Sequence, residues 1–338
     1  MPRASLRRPL TVTVWLIVST LCVLASPLLL ALGALAGAIT RRPQPLILAR
    51  LIVVYFTREL GVLSACGALW LFAGGSRRIA SPRSQRLHWQ LLEWFVGGLA
   101  EAARGSLHID VAEGASPEAA AALRADGPLI IFSRHAGPGD TVFIVDQLCK
   151  RYRRRPSVVF KESLGIDPCV DLLAHRLPHA MLDTSDREQC KVEIERVCSL
   201  LGPRGALLLF PEGGNFTPER RRSGLRRLRR KGRRRSALKA EQMPHVLPPQ
   251  PTGALSALEA NPATDVVFAA HTGLGLAVYP QELWRHMPIG RTLLTRMWLV
   301  KAQDVPDSSD ERIAWLYGWW KRIDEWIAAH ANEDEVST

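Results

Sequence analysis

Cysteine pairs with metal-binding spacing are missing from this 338-residue chain. Its six cysteines form no Cys-x-x-Cys motif, which excludes the zinc-finger and redox classes built on that spacing. They lie in apolar or helical stretches, so we expect reduced core residues in a protein facing the cytosol. His175 and His179 are four residues apart, but Pro178 breaks the helix that would align them, and we predict no metal site there.

Acidic side chains are too few to balance the basic ones. The chain has 44 Lys and Arg against 32 Asp and Glu, a net charge of +12, which predicts an anionic partner: phospholipid, phosphorylated substrate or nucleic acid. Ten Arg and one Lys fall within residues 219–235, with no aromatic residue among them to stack on bases. We therefore expect Arg220–Arg235 to contact an anionic lipid surface rather than nucleic acid; a merely solvated surface is the alternative.

Charge is absent from Thr11–Ile39, which is long and apolar enough to cross a bilayer. The next apolar stretch, Leu46–Ala73, contains three charged residues and is a poor straight span. We predict a membrane-embedded two-helix motif over residues 1–80, turned at Arg41–Pro45, that either spans the membrane or dips into one leaflet. The arginines at the turn favour the dipped form, and those at both outer ends place residues 81–338 in the cytoplasm. A cleaved signal peptide is the alternative, against which the length of the apolar run argues.

Short apolar strands alternate with helices through residues 81–338. The predicted strands are Leu107–Val111, Leu129–Ser133, Ser157–Phe160, Ala206–Phe210 and Val266–Ala270. The predicted helices include Leu87–Ala103, Pro117–Arg124, Ser185–Leu201 with a Ser185–Glu188 capping box, and Asp307–His330. This order predicts an α/β domain whose largely parallel sheet is flanked by helices.

A histidine and an aspartate surround a glycine turn after the second predicted strand. His135 follows Leu129–Ser133, Gly137 and Gly139 force a tight turn, and Asp140 opens a run with helical apolar spacing. A carboxylate on one imidazole nitrogen fixes the tautomer and leaves the other nitrogen to accept a proton from a hydroxyl. The alternative is a helix N-cap beside a loop histidine.

Two further polar motifs, Lys161–Pro168 and Pro211–Phe216, also follow predicted strands. Ligands of open α/β sheets bind at the carboxyl ends of the strands. The convergence of three motifs at that edge favours the catalytic interpretation of His135 and Asp140.

These motifs, behind an apolar N-terminus, resemble the glycerolipid acyltransferases of the lysophosphatidic acid acyltransferase type. His135–Asp140 matches the family's His-x4-Asp motif, and Phe210–Gly213 matches its Phe-Pro-Glu-Gly block. Phe160–Pro168 is similar to the Lys-containing second block, and Val246–Pro249 stands in place of a fourth, Pro-containing block. The similarity covers roughly residues 85–300.

The resemblance implies that His135 deprotonates the glycerol hydroxyl of a lysophospholipid, which attacks an acyl thioester, while Asp140 orients His135. It implies that Glu212 and Gly213 bind the acceptor and that Lys161 places its phosphate. Acyl-CoA or acyl-carrier protein is the co-substrate, with no metal or other cofactor. Because a thioester is already activated, one base and correct positioning suffice. Gly213 and Gly214 let backbone amides approach a phosphate or the developing oxyanion.

One position departs from the family pattern. Many members continue the Phe-Pro-Glu-Gly block with Thr-Arg, where this chain has Gly214 and Asn215. Asparagine donates hydrogen bonds but carries no charge, so either Arg220 or Arg221 contacts the phosphate or the acceptor is not plain lysophosphatidic acid. We expect phosphatidic acid as the product. The alternatives are a remodelling enzyme for another lysophospholipid and a non-catalytic membrane scaffold that binds anionic lipid or nucleic acid.

Overall fold

The computed structural model describes residues 4–137, 139–183, 186–273 and 280–330. The strands are β1 (Asp110–Glu113), β2 (Leu129–Ser133), β3 (Arg155–Lys161), β4 (Ala180–Leu182), β5 (Gly205–Leu209), β6 (Val266–His271) and β7 (Thr292–Val300). The helices are α1 (Ala4–Leu24), α2 (Ser26–Thr40), α3 (Gln44–Phe72), α4 (Pro82–Leu107), α5 (Pro117–Arg124), α6 (Asp140–Lys150), α7 (Pro168–Arg176), α8 (Arg187–Ser199), α9 (Pro218–Arg230), α10 (Arg234–Glu241), α11 (Pro251–Ala260), α12 (Pro280–His286) and α13 (Ser309–His330).

The seven strands form one sheet in the order β1-β7-β6-β2-β5-β3-β4. Every neighbouring pair is parallel except β6 and β7, which are antiparallel. The prediction of an α/β fold with a largely parallel sheet is confirmed. Because β2, β5 and β3 lie side by side and run the same way, their carboxyl ends meet at one edge.

Alternating side chains of β2 enter two different core layers. Ile130 and Phe132 pack with α8, α11 and α13, where Trp320 is fully buried. Leu129 and Ile131 pack with α3 to α7 on the opposite face of the sheet. A strand buried on both faces reads as a continuous apolar run, which is why this one is visible in the sequence. Leu316, Ile323 and Ile327 of the C-terminal helix α13 are also buried in this layer.

The predicted starts of the first strand and of helix α8 differ from the structure. Leu107 ends α4 rather than beginning a strand, because His108 takes a left-handed conformation (φ 53°) that closes the helix, and β1 starts at Asp110. Helix α8 is capped by Asp186, whose carboxylate accepts a hydrogen bond from the Gln189 amide at 3.0 Å. The Ser185 of the predicted capping box lies outside the described residues.

The N-terminal helices pack against the α/β domain. The chain turns at Arg41 (φ 53°), between α2 and α3, as the sequence predicts. Arg7 and Arg8 on α1 bind the buried Asp171 carboxylate on α7, at 2.8 and 2.7 Å. Among the described residues one helical segment, Arg7–Leu24, is long and apolar enough to cross a membrane. The outward faces of α1 and α2 expose large apolar side chains, among them Leu10, Ile17, Leu21, Leu24, Leu28, Leu35 and Ile39.

Candidate active site

The backbone of His135 is fixed by the segment that follows β5. Its amide donates a hydrogen bond to Glu212 Oε1 at 3.2 Å, and its carbonyl accepts one from the Phe216 amide at 2.9 Å. The imidazole packs on the Phe210 ring with centroids 4.7 Å apart and is 18% exposed. Because β2 and β5 are parallel neighbours, the His-x4-Asp and Phe-Pro-Glu-Gly motifs meet at one edge of the sheet.

Asp140 closes the turn that carries His135. Its buried Oδ2 accepts hydrogen bonds from the Ala136 amide at 2.6 Å and the Gly137 amide at 2.5 Å, so the carboxylate bonds the preceding turn rather than α6. The same oxygen lies 3.8 Å from His135 Nδ1. Burial disfavours the charged form, but the two neighbouring imidazoles, of His271 and His135, and the Gly137 amide outweigh it and keep the pKa of Asp140 below its usual value.

The Glu212 carboxylate connects its own segment to the segments that contain His135 and Leu247. Oε1 accepts from the His135 amide, and Oε2 accepts from the Leu247 amide at 3.1 Å. Burial raises the pKa of Glu212 to about 8, while Arg134 and the two amides act in the opposite direction. The carboxyl group thus positions the backbone of the base and anchors the Val246–Pro249 segment. Its expected role in acceptor binding stays a prediction.

The side chains of Lys161 and Arg220 lie close together beside Gly214. A Cβ built on Gly214 would lie 3.4 Å from Arg220 Nη1 and 3.6 Å from Lys161 Nζ. Arg220 is held there because its guanidinium donates to the Asn215 carbonyl at 3.1 Å. Burial and the Arg220 charge lower the pKa of Lys161, as expected for adjacent cations. The arrangement suits an anion.

Arg221, the next residue along the chain, makes its hydrogen bonds to a different segment. The Arg221 guanidinium donates to the carbonyls of Met243, Ala240 and Glu241, where it closes α10. Gly213 takes a left-handed conformation (φ 68°), and a Cβ there would lie 2.4 Å from Gln250 Nε2. Of the two arginines considered for the missing family residue, Arg220 is the one beside Gly214 and Asn215.

Two buried residues at this edge escaped the sequence analysis. Arg134 donates to the carbonyls of His271, Thr272 and His245, at 2.7, 2.8 and 3.0 Å. His271 Nε2 lies 3.0 Å from the Arg134 carbonyl and 3.7 Å from Asp140 Oδ2. Both follow predicted apolar strands directly, which was the available signal.

A small cavity of about 20 Å³ lies behind Asp140, enough for about one water molecule. Its polar lining comes from Asp140, Gln147, His271 and Thr295. Apolar side chains of α6, β1, β6 and β7 form the remainder.

Among the described residues, one group of potential metal ligands lies away from His135 and Asp140. One oxygen each from Glu59 and Asp167 and the Cys169 sulfur lie within 4.8 Å of one another, between α3 and α7. None of them is a predicted site residue.

The histidines and cysteines discussed in the sequence analysis have other surroundings. His179 is buried and accepts a hydrogen bond from the Val158 amide at 2.9 Å, whereas His175 faces Asp171. All six cysteines are free, and four of them are buried.

Comparisons with known proteins bear on the family and on the fold. Residues 117–250 match the family model described as Acyltransferase, a span that includes His135, Asp140, Lys161, Glu212 and Arg220. The crystal structure of the 1-acyl-sn-glycerophosphate (LPA) acyltransferase PlsC from Thermotoga maritima is similar, with a TM-score of 0.54 and 14% identity, over 85% of this chain and 98% of that one. A search of curated proteins found no match. The resemblance to an acyltransferase family is confirmed over residues 117–250, and the fold is similar to that of PlsC.

Proposed function

Because residues 117–250 match the acyltransferase family, we propose that the protein transfers an acyl chain to the free hydroxyl of a lysophospholipid. The donor is acyl-CoA or acyl-carrier protein, and the acceptor is 1-acylglycerol-3-phosphate, which gives phosphatidic acid. The observation that carries the proposal is the accessible His135 ring, whose Nδ1 faces the buried Asp140 carboxylate at 3.8 Å.

His135 is the general base. Since Nδ1 faces Asp140, Nε2 is left to accept the proton of the acceptor hydroxyl as its oxygen attacks the thioester carbonyl. Asp140 stabilises the imidazolium, which then protonates the departing thiolate. A base of this kind contributes about 10²–10⁴-fold in rate. The remaining acceleration comes from positioning both substrates at the membrane surface.

Lys161 and Arg220 bind the phosphate of the acceptor. Both lie beside the position that a side chain on Gly214 would occupy, so the glycine leaves that space open to a ligand. Two cations that repel each other gain most from a shared dianion, and Arg220 supplies the charge that Asn215 lacks. Glu212 and Gly213 shape this subsite through the backbone.

The N-terminal helices and the arginine-rich segment attach the enzyme to the membrane, with the catalytic domain on the cytoplasmic side. The exposed apolar faces of α1 and α2 enter the lipid, and Arg220–Arg235 contacts anionic head groups. The lysophospholipid acceptor then reaches His135 from the same surface.

A panel of acceptors tests the proposal. Radiolabelled oleoyl-CoA, or the acyl-carrier protein thioester, is offered with lysophosphatidic acid and with lysophospholipids of other head groups. We expect transfer to lysophosphatidic acid. Transfer only to another lysolipid would favour the remodelling alternative, with Asn215 as the suspected cause. No transfer from either donor would overturn the proposal in favour of a scaffold.

A further inference from the structure

His271 ends β6, which is the parallel neighbour of β2. The register pairs Ala269 with Ser133, so the sheet places the buried His271 beside the Arg134–His135 turn. The proposed mechanism uses His135 and Asp140 and gives this second imidazole no task.

The neighbours of His271 determine where its proton lies. Nε2 is 3.0 Å from the Arg134 carbonyl, and because a carbonyl only accepts, Nε2 carries the hydrogen. Burial lowers the pKa of His271 although Asp140 acts in the opposite direction, with Arg134 and His135 also nearby. The ring is therefore neutral at pH 7, with an unprotonated Nδ1 that has no hydrogen-bond partner in the described part of the chain.

Asp140 lies between the two imidazoles. Oδ2 is 3.8 Å from His135 Nδ1 and 3.7 Å from His271 Nε2. The amides of Ala136 and Gly137 hold the same oxygen. The Nε2–H of His271, held by the Arg134 carbonyl, thus places a fixed positive dipole near the oxygen that faces the base.

We propose that His271 is a positioning residue for acyl transfer, whose Nε2–H, held by the Arg134 carbonyl, keeps the Asp140 carboxylate ionised and facing His135. This role rests on the proposed function, because it acts through the base of that reaction. It assigns a task to a residue outside the motifs of the sequence.

Two variants, His271→Gln and His271→Asn, test whether the N–H donor at the position of Nε2 matters, since both remove the imidazole ring. Glutamine places its amide nitrogen near the position of Nε2, whereas asparagine places it near Nδ1. We expect His271→Asn to lower kcat about tenfold to a hundredfold, because the buried Asp140 carboxylate loses a polar neighbour at 3.7 Å. We expect His271→Gln to keep kcat within about threefold and both variants to keep the KM of the acceptor. Equal kcat values for the two variants would overturn the proposal.

A double-mutant cycle tests whether His271 acts through Asp140. In the Asp140→Asn background, adding His271→Asn should change the residual kcat by less than about twofold. Losses that multiply would show an independent role and overturn the proposal.

The ring nitrogen signals of ¹⁵N-histidine-labelled wild-type protein test the assignment without turnover, and so separate its failure from that of the proposed function. The His271 signal is identified by its loss in His271→Gln. We expect a neutral ring with the proton on Nε2 between about pH 7 and 8. An imidazolium or an Nδ1–H tautomer in that range would overturn the proposal even if acyl transfer is found.

Discussion

The backbone holds His135 more firmly than its side chain does. Hydrogen bonds from the amide to Glu212 and from Phe216 to the carbonyl fix the main chain, while the ring makes the 3.8 Å approach to Asp140 and stacks on Phe210. Catalytic hydrogen bonds are often long without substrate and shorten in the substrate complex. We expect a rotation of the ring in the substrate complex to bring Nδ1 within hydrogen-bonding distance of the carboxylate.

Arg220→Ala tests the phosphate subsite at the scale of one side chain. Removing a charged donor from a phosphate costs about 1.5–3 kcal/mol when buried, and less at this exposed position. We expect the KM for lysophosphatidic acid to rise about threefold to thirtyfold with little change in kcat. Steady-state kinetics over a range of acceptor concentrations measures both constants.

Arg285→Ala is the matched control. Arg285 lies on α12, outside the Arg220–Arg235 segment, where it pairs with Glu282 at 2.8 Å on the exposed surface. Its removal should leave the KM unchanged, because surface ion pairs contribute little. Equal increases in KM for the two variants would remove the argument for a specific subsite.

At the scale of elements, α9 shows how the basic run is built. Gly224 and Leu228 face the domain, with a Cβ at Gly224 only 3.2 Å from Pro248, while most of the arginines point outward. The helix begins at Thr217, whose hydroxyl accepts from the Arg220 amide at 3.1 Å. Arg220 then lies beside Gly214 and Asn215, whereas Arg222, Arg226 and Arg227 are exposed.

Replacing Arg226, Arg227, Arg229 and Arg230 with Gln should weaken activity on anionic vesicles by at least about tenfold, since each cation contributes about 1 kcal/mol at such a surface. Activity on neutral detergent micelles should change much less. Acyl transfer measured side by side on the two kinds of particle gives the ratio.

A control with the same change in charge replaces four exposed cations on other faces, namely Lys191, Arg285, Lys301 and Lys321. It should leave the ratio between vesicles and micelles near that of the wild type. The idea fails if the α9 variant loses activity equally on both particles, or if the control matches it.

The sequence predicts the elements that carry their own signals. β2 and α5 match the structure to the residue because a buried apolar run and a Ser116 cap mark them. β4 and β7 were not predicted: β4 has three residues, and β7 mixes buried with half-exposed positions. His135 and Asp140 are local in the chain and therefore visible, whereas His271 reaches Asp140 only through the strand order, which no local pattern encodes.

At the scale of the whole molecule, the N-terminal helices and the catalytic domain are joined by polar contacts. Tyr55 on α3 donates to Asp167 at 2.9 Å, beside the Arg7 and Arg8 pairs with Asp171. The boundary expected near residue 80 came from composition, and nothing local to the sequence reveals these contacts across it. The contacts orient the sheet edge relative to the exposed apolar helices.

An introduced cysteine at Arg42, in the turn between α2 and α3, tests how this unit meets the membrane. A hairpin that dips into one leaflet keeps the turn from the outer face, so Arg42→Cys should react with a membrane-impermeant maleimide only after permeabilisation of the cells. Asp126→Cys, in an exposed loop of the catalytic domain, should behave in the same way. Labelling of Arg42→Cys in intact cells would show a full crossing.

Acyl transfer from radiolabelled oleoyl-CoA to lysophosphatidic acid by His135→Ala tests the central claim most directly. His286→Ala, which removes an exposed histidine on α12, is the control for the loss of an imidazole. We predict that His135→Ala lowers kcat by about 10²–10⁴-fold while His286→Ala matches the wild type and both proteins stay folded. A His135→Ala protein that retains transfer within about threefold of the wild type would contradict general-base catalysis by this residue.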